Sequence, residues 1–576
     1  MKAIFSGLKP TPSPLATPPS AGTSDSTLPR WAALLVWGGL AVWLTVLFLR
    51  PLAGDIWFHL LAGRYALDHG AVPHHEFFLY EVVGLPQTFT GWGFGLLSEL
   101  AIRAAGAPGL SIFNGLLWSM ALCLGLWAAA RACDAAQGRK GALDPARLAG
   151  FALALLVVMQ GFISRSVIRP EVTLYLSWLG IAVLFEAYGG DRRVWRALLG
   201  LPLASWALAW LHTTSPILMA LWAGYALLRW NERGARPLSL REMACWIASA
   251  LGTLLLPLFN PNGLDQILLQ VQVSTGIGAE ALPDVTAVGE YLPLWHANSR
   301  PFWPAAAVLA AGTVVWFVTA GRRRWSELVL IAPMVVMTLA HRRGIGLWAM
   351  ALFVPLARAL SLALGHRLAH AVNGLYAVAL AAVAAMSGAM LSSGLWSLGG
   401  LADRYASSLM LHTLEQQLPA GGNVWAMDVL GPELSYILGE RIKVPYSGHM
   451  SHPHAAVLRH YDQVLNASAG WEQALQTYDV RVVGVTSQLL FPTARLVPLA
   501  HALARHPQWQ LVGIDRQLMV FVKRPAGLSS APVEQRAQID LYTRYALQMA
   551  RLAAGRGDRP DVQDVIERLQ REAAAP

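Results

Sequence analysis

The chain has 576 residues, 55% of them hydrophobic and only 14% charged, with a mean hydropathy of +0.43. Soluble proteins carry roughly 25% charged residues, so this chain cannot cover its apolar surface in water. A soluble enzyme, a disordered scaffold and a secreted disulfide domain are excluded. The net charge of +10 does not imply a nucleic-acid partner, because the basic residues sit in short clusters between apolar runs, as cytoplasmic loops of a multi-span protein do.

Residues 1–30 are rich in Pro, Ser and Thr and are predicted to be a disordered tail, too long and Pro-rich to be the basic region of a cleavable signal. Residues 31–49 form the first predicted span, since about 20 apolar residues cross a hydrocarbon core. Ten more follow, at 110–130, 148–162, 172–188, 197–211, 213–230, 243–259, 302–320, 325–340, 345–363 and 372–391. Alternate connections are basic. They carry Arg131, Arg139, Lys140 and Arg147; Arg192, Arg193 and Arg196; Arg229, Arg233, Arg236 and Arg241; Arg322, Arg323 and Arg324; and Arg367. That places the N-terminus inside and everything after residue 391 outside, which is the periplasm if the chain sits in the inner membrane of a Gram-negative bacterium. Cys123, Cys133 and Cys245 lie in or beside apolar runs, so no disulfide framework is expected.

The expected outer segments are long at 55–109 and 260–301 and short at 165–171, 212–215 and 341–344. Arg165, Arg169, Arg342 and Arg343 stand on this side against the charge rule, and charges kept at helix ends facing a bundle need a partner. An external phosphate is one partner; Asp55, Glu171, Glu290 or lipid headgroups are others.

Beyond the last span, residues 397–525 are read as a small α/β domain. The predicted elements are a helix at 403–418, a strand at 423–428, a helix at 471–478, a buried strand at 480–486, a helix at 493–505, and a hairpin of 509–514 with 518–523. In residues 526–576, a linker leads to a charged helical pair at 533–554 and 561–572. The pair either packs on the domain or meets a protein partner. His449, His452 and His454, with His460 nearby, fit no standard zinc spacing and have no cysteine to assist, so they are read as polar loop residues.

The residues that can carry chemistry open the first outer segment, where Asp55 and His59 are four apart and share a face of any helix begun there. An Asp at this height can act as general base toward an acceptor hydroxyl, hold a divalent metal that neutralises a phosphate leaving group, or simply cap the helix. This stretch resembles the first outer loop of GT-C glycosyltransferases, whose string is Asp-x-x-Trp-x-His-x-x-x-Gly followed by His-Gly-x-x-Pro-x-x-Asp-x-Phe. The matching positions are Asp55, Trp57, His59, Gly63, His69, Gly70, Pro73, Glu76 and Phe78, with the Trp one residue early and Glu in place of the second Asp.

Further resemblances follow in order: Arg169-Pro170-Glu171, Trp210-Leu211-His212, Asn260-Pro261-Asn262-Gly263, Glu290-Tyr291-Leu292-Pro293 and His341-Arg342-Arg343-Gly344-Ile345. One element departs: where relatives show Asn-His-Glu-Trp, this chain has Phe89-Thr90-Gly91-Trp92 and keeps only the Trp.

The resemblance implies an α-helical polytopic membrane protein of about 11 spans with an α/β periplasmic domain. Its implied activity moves a sugar from a polyprenyl-phosphate donor to an envelope glycan, lipid or protein acceptor. It implies a catalytic set of Asp55, His59, Glu76 and Glu290, and a phosphate set of Arg165, Arg169, His212, His341, Arg342 and Arg343. No nucleotide cofactor is expected, because no Gly-rich phosphate loop follows a strand. A flippase for a lipid-linked saccharide, an envelope-glycan polymerase or ligase, and a catalytically inactive assembly subunit are the alternatives. A flippase would show ionisable residues within the membrane or inverted repeats.

Overall fold

The computed structural model describes most residues of 30–367 and 406–524, a few of 381–388, and residues 535 and 537–544; its longer breaks are 138–144, 189–193, 233–238, 276–291, 448–454 and 488–495. The helices of the first part are α1 (Arg30–Leu47), α2 (Ile56–His69), α3 (Trp92–Gln137), α4 (Pro145–Ile163), α5 (Glu171–Tyr188), α6 (Val194–Leu211), α7 (Ser215–Glu232), α8 (Leu240–Leu255), α9 (Gly263–Thr275), α10 (Trp303–Thr319), α11 (Arg324–Ala340) and α12 (Ile345–Arg367).

Helices stand at the first ten predicted spans; the eleventh, 372–391, lies mostly outside the described residues. Among the described helices six are long and apolar enough to cross a membrane, or seven when α8 and α9, bent by 101° at their junction, count as one. Two helices show why the count is smaller: α7 has 18 residues but ends in the polar Arg229, Asn231 and Glu232, and α11 is short. The 17 residues of α11 rise only about 25 Å at 1.5 Å each, short of a hydrocarbon core of about 30 Å.

Small residues set the closest packings. α4 and α12 run antiparallel, with Gly150 against Ser361 and Gly161 against Ala349. α3 is two helices joined at Ala105 and Gly106, where Gly106 takes a φ of +65° that an L side chain rarely adopts. Its first half lies beside α2, and its second half runs along α5 through Trp118 and Tyr175, whose rings are 5.1 Å apart.

The C-terminal part holds α13 (Ser408–Gln417), β1 (Gly422–Ala426), α14 (Gly431–Leu438), β2 (Ile442–Lys443), α15 (Ala455–Leu465), α16 (Trp471–Thr477), β3 (Val482–Thr486), α17 (Pro498–Arg505), β4 (Trp509–Ile514) and β5 (Leu518–Lys523). The sheet order is β2-β1-β3-β5-β4, parallel from β2 to β3 and antiparallel beyond. The predicted strands and hairpin are present. Two predicted helices begin later than expected, at the Ser407 cap of α13, whose side chain accepts from the Met410 amide, and at Pro498 in the first turn of α17.

The sequence reading missed α14, β2 and α15. β2 has only two residues, too few for a period-2 signal, and α14 opens with Gly431-Pro432, which reads as a turn although Pro suits a helix's first turn. The described part of the predicted 533–554 helix packs on the domain: Gln535 accepts from the Leu511 amide, and the Tyr542 hydroxyl donates to the Ser487 carbonyl. The second helix of that pair lies outside the described residues.

The sheet edge at β2 is covered by the chain itself. Leu79 bridges to Val444 in parallel, the Tyr80 amide donates to the Val444 carbonyl, and the Val444 amide donates to the Phe78 carbonyl. Lys443 Nζ donates to the Phe77 carbonyl at 2.7 Å, and Tyr80 packs on Tyr478 at 4.9 Å. The segment between α2 and α3 thus docks the domain at one end of the bundle, called the domain end below.

Candidate active site at the domain end of the bundle

Asp55 occupies the N-cap position of α2, but its φ of −62° and ψ of −15° are helical and its side chain makes no capping bond. The capping role that this position suggests is therefore not realised. Instead Asp55 Oδ2 lies 3.0 Å from Arg169 Nη2, with the Asp55 side chain 54% exposed. One turn on, His59 is buried, with a backbone hydrogen bond at Thr90. α2 can sit this deep because Gly63 meets the Gly95 backbone directly and Gly95 meets the His59 carbonyl, leaving no room for a Cβ at either glycine.

The segment that departs from the family pattern packs on this histidine. A Cβ at Gly91 would fall 3.1 Å from His59 Cε1 and 3.2 Å from Pro170 Cγ, and Gly91 takes a φ of +68°. Glycine here brings the 89–92 strand of chain against both α2 and the start of α5.

Glu171, the first residue of α5, collects two arginines. Arg165 donates through Nε to Oε2 at 3.0 Å and through Nη2 to the same oxygen at 2.7 Å, while Arg343 Nη2 donates to Oε1 at 3.0 Å. Arg165 is buried and Glu171 nearly so. The charge-rule exceptions Arg165, Arg169 and Arg343 are therefore partnered by Glu171 and Asp55, and Glu171 is the hub.

His212, just past α6, is buried beside this group. Burial pushes its imidazole down to about 4, with Arg343 and Arg165 opposing protonation more weakly and Glu171 favouring it. His59 is lowered to about 3, chiefly by burial and then by His212 and Arg169. Both rings are neutral near pH 7.

Two expected members, Arg342 and Glu76, stand apart. Arg342 turns toward the 292–302 segment, donating to the Asn298 carbonyl and lying 5.0 Å from the Phe302 ring. Arg342 and Arg343 are successive residues of one 3-10 turn, and with three residues per turn they must point about 120° apart. His341 precedes that turn without a side-chain cap. Glu76 is buried, and its Oε1 accepts from the amides of Phe77, Phe78 and Leu79 at 2.9, 2.9 and 3.1 Å. It shapes the docking segment. Burial raises its carboxyl to about 7, against the opposing pull of those amides and Lys443. Glu290 lies outside the described residues.

Sequence reading also missed Arg50, which is fully buried between α1 and α2. It donates through Nε to Ser166 Oγ at 2.9 Å and through Nη1 to the carbonyls of Leu47 and Leu49 at 3.0 and 2.9 Å. A cation at the C-terminus of α1 complements the helix dipole. No carboxylate pairs with it among the described residues. The Asn-Pro-Asn-Gly element is architectural: Asn262 Nδ2 donates to the Phe89 carbonyl at 3.0 Å and Gln266 Nε2 to the Ala209 carbonyl at 2.8 Å, pinning α9 to the site's frame. Among the described residues no three His, Cys, Asp or Glu side chains are grouped as metal ligands.

A second buried ion pair lies toward the other end of the bundle. Glu327 Oε2 accepts from Arg358 Nη2 at 2.8 Å and from Trp316 Nε1 at 2.7 Å, tying α10, α11 and α12. Beside it a cavity is lined by Trp178, Glu186, Trp222, Tyr225, Glu327 and Met350.

No family model and no curated protein sequence matches the chain. Solved structures do. The oligosaccharyltransferase of Archaeoglobus fulgidus in its apo form aligns with a TM-score of 0.55 at 11% identity, over 80% of this chain and 69% of that one. The arabinofuranosyltransferase AftD from Mycobacteria aligns at 0.52 and 16%, over 93% of this chain but only 44% of its own. ArnT from Cupriavidus metallidurans, bound to undecaprenyl phosphate, aligns at 0.50 and 13%, over 86% of this chain and 98% of that one. The fold resembles that of GT-C glycosyltransferases, as the motif order implied.

Proposed function

We propose that the chain is a GT-C-type membrane glycosyltransferase, taking a sugar from a polyprenyl-phosphate donor and passing it to a glycan, lipid or protein acceptor. The observation that carries this reading is the pairing of Arg165 and Arg343 with Glu171, and of Arg169 with Asp55, at one end of an apolar bundle. Guanidinium groups suit phosphate because their planar forks donate paired hydrogen bonds. The solved ArnT holds undecaprenyl phosphate, a ligand of the proposed class.

In this reading the Arg165–Glu171–Arg343 group, with Arg165 buried and Arg343 30% exposed, is the fixed part of the phosphate seat. The Asp55–Arg169 pair is the releasable part, because an ion pair with a carboxylate that exposed contributes no more than about 1 kcal/mol. A donor phosphate takes Arg169 and frees Asp55. Asp55 then accepts the proton of the acceptor hydroxyl as its oxygen bonds to the sugar's anomeric carbon. The bond from that carbon to the phosphate oxygen breaks, and the electron pair leaves with the lipid phosphate, held by the arginines. Neutral His59 and His212 shape the pocket without adding charge. A divalent metal, if the reaction uses one, would share the phosphate's charge there.

The alternation of basic loops supports placing this end, with the domain of 397–525, on the periplasmic side of a bacterial inner membrane and the bundle in residues 31–396. Among the described residues the buried Glu327–Arg358 pair is a feature that a flippase reading anticipates, but its pairing with Trp316 fits a helix clamp.

The deciding experiment is a structure of the full chain in lipid nanodiscs with an added polyprenyl phosphate. Phosphate density on Arg165, Arg169 and Arg343 is expected. Saturating lipid phosphate bound elsewhere would overturn the assignment.

A further inference from the structure

Resting on that reading, we propose that Tyr436 of the C-terminal domain is a positioning residue for the site, acting through α2. Tyr436 is held at three points. Arg64 Nη1, from α2, donates to its carbonyl at 2.6 Å, and the same guanidinium lies 3.7 Å from the centre of its ring. Its hydroxyl donates to Glu99 Oε2, on α3, at 2.7 Å.

Glu99, whose side chain is 2% exposed, uses its other oxygen for Arg64 and Arg103 at 3.4 and 3.0 Å. One buried carboxylate therefore joins α2, α3 and α14. The ring of Tyr436 also packs 5.3 Å from Trp57, two residues beyond Asp55.

α2 is thus clamped between two surfaces. On one side the Gly63–Gly95 backbone contact sets its depth against α3. On the other, Tyr436 closes over Arg64 and Trp57. The buried apolar face of Ile56 to Ala62 holds α2 in the core without directional bonds, and the remaining polar ties are weaker: Asp55 is 54% exposed in its pair with Arg169, and Asp68 and Arg103 are both close to half exposed in theirs. Exposed pairs of this kind cannot hold a helix in register, whereas a charge-assisted bond to a buried carboxylate can. Asp55 and His59 ride on α2, while Arg165, Arg169 and Glu171 belong to the start of α5. The alignment of base with phosphate seat therefore depends on the α14 contact, and the C-terminal domain becomes part of the site's frame although Tyr436 touches no reacting atom.

The test uses the full chain in nanodiscs with two variants, Tyr436→Phe, which keeps the ring and loses the bond to Glu99, and Arg64→Leu, which removes the grip from the other side. The first readout is kinetic. We expect turnover to fall about tenfold or more while the donor KM stays within about threefold, the signature of lost alignment rather than lost binding. The second needs no activity. Nitroxide labels at the exposed positions His69 and Ser164, with the three native cysteines replaced, report the distance from α2 to the segment bearing the arginines. A narrow distribution in the parent that broadens in both variants supports the proposal. An unchanged distribution, or broadening with unchanged turnover, overturns it. If the parent transfers no sugar from any polyprenyl-phosphate donor, the glycosyltransferase reading fails, and the label distance alone decides whether Tyr436 sets α2.

Discussion

Arg343 and Glu171, 172 residues apart in the chain, meet at 3.0 Å, and the carboxylate that receives Arg343 also receives Arg165. A buried acid shared by two arginines is a structural commitment as well as a chemical one. Removing one member of such a group leaves an uncompensated charge out of water, which costs about 3–5 kcal/mol.

Glu171→Gln is therefore expected to lower the thermal stability of the detergent-purified chain by a margin of that order. Asp55→Asn should barely change it. Parallel thermal denaturation of the two variants checks this contrast; equal loss in both would mean Glu171 is not the hub.

For Asp55 the expected signature is the reverse. Asp55→Asn keeps size and removes the charge, and losing a general base typically costs 10²–10⁴-fold in rate. Transfer should fall by about that much with abundance and membrane insertion intact. Activity above about a tenth of the parent's, well over the roughly one hundredth that the mildest loss of a base leaves, would assign the proton transfer elsewhere.

Neighbouring arginines should behave differently. Arg343 faces Glu171, whereas Arg342 faces Asn298 and Phe302. Arg343→Ala should weaken lipid-phosphate binding by about tenfold or more, since a hydrogen bond to a charged group contributes about 1.5–3 kcal/mol. Arg342→Ala should leave it nearly unchanged. Titration of a short-chain polyprenyl phosphate against both variants measures the difference.

The two buried histidines make stability depend on pH. Their folded values, about 3 for His59 and about 4 for His212, lie below the unfolded value of about 6.5. Between those limits the unfolded chain binds more protons, so stability is full above about pH 6.5 and falls as the pH drops toward 4. Glu76 acts with the opposite sign. Its folded value of about 7 exceeds the unfolded value of about 4.3, so its contribution is present at acid pH and is lost as the pH rises from about 4 to about 7. Glu76→Gln should therefore steepen the acid loss, and replacing both histidines with Asn should flatten it. Melting temperatures from pH 4 to 7.5 would show either change.

Much of this was legible in the chain. The apolar runs marked the helices within a few residues, since a bilayer demands about 20 apolar residues in a row and no soluble pattern imitates that. The Asp55–His59 spacing placed both on α2, and the motif order anticipated the resemblance in fold. The C-terminal strands announced themselves by apolar runs bounded by turns, whereas α14 and β2, on which the domain's docking depends, were too short or too turn-like to register.

The sequence by itself determined the apolar character, the helices, the class of fold and which arginines break the alternation of basic segments. Those properties follow from local composition and spacing, which each segment carries alone. Only the tertiary structure decided that Glu171 gathers Arg165 and Arg343, that Asp55 meets Arg169, that Arg342 turns away, and that Tyr436 reaches back to Glu99. Such pairings depend on where helix ends meet and which way each side chain points. That is set by the glycine contacts and buried charges of distant segments, and no local period records it.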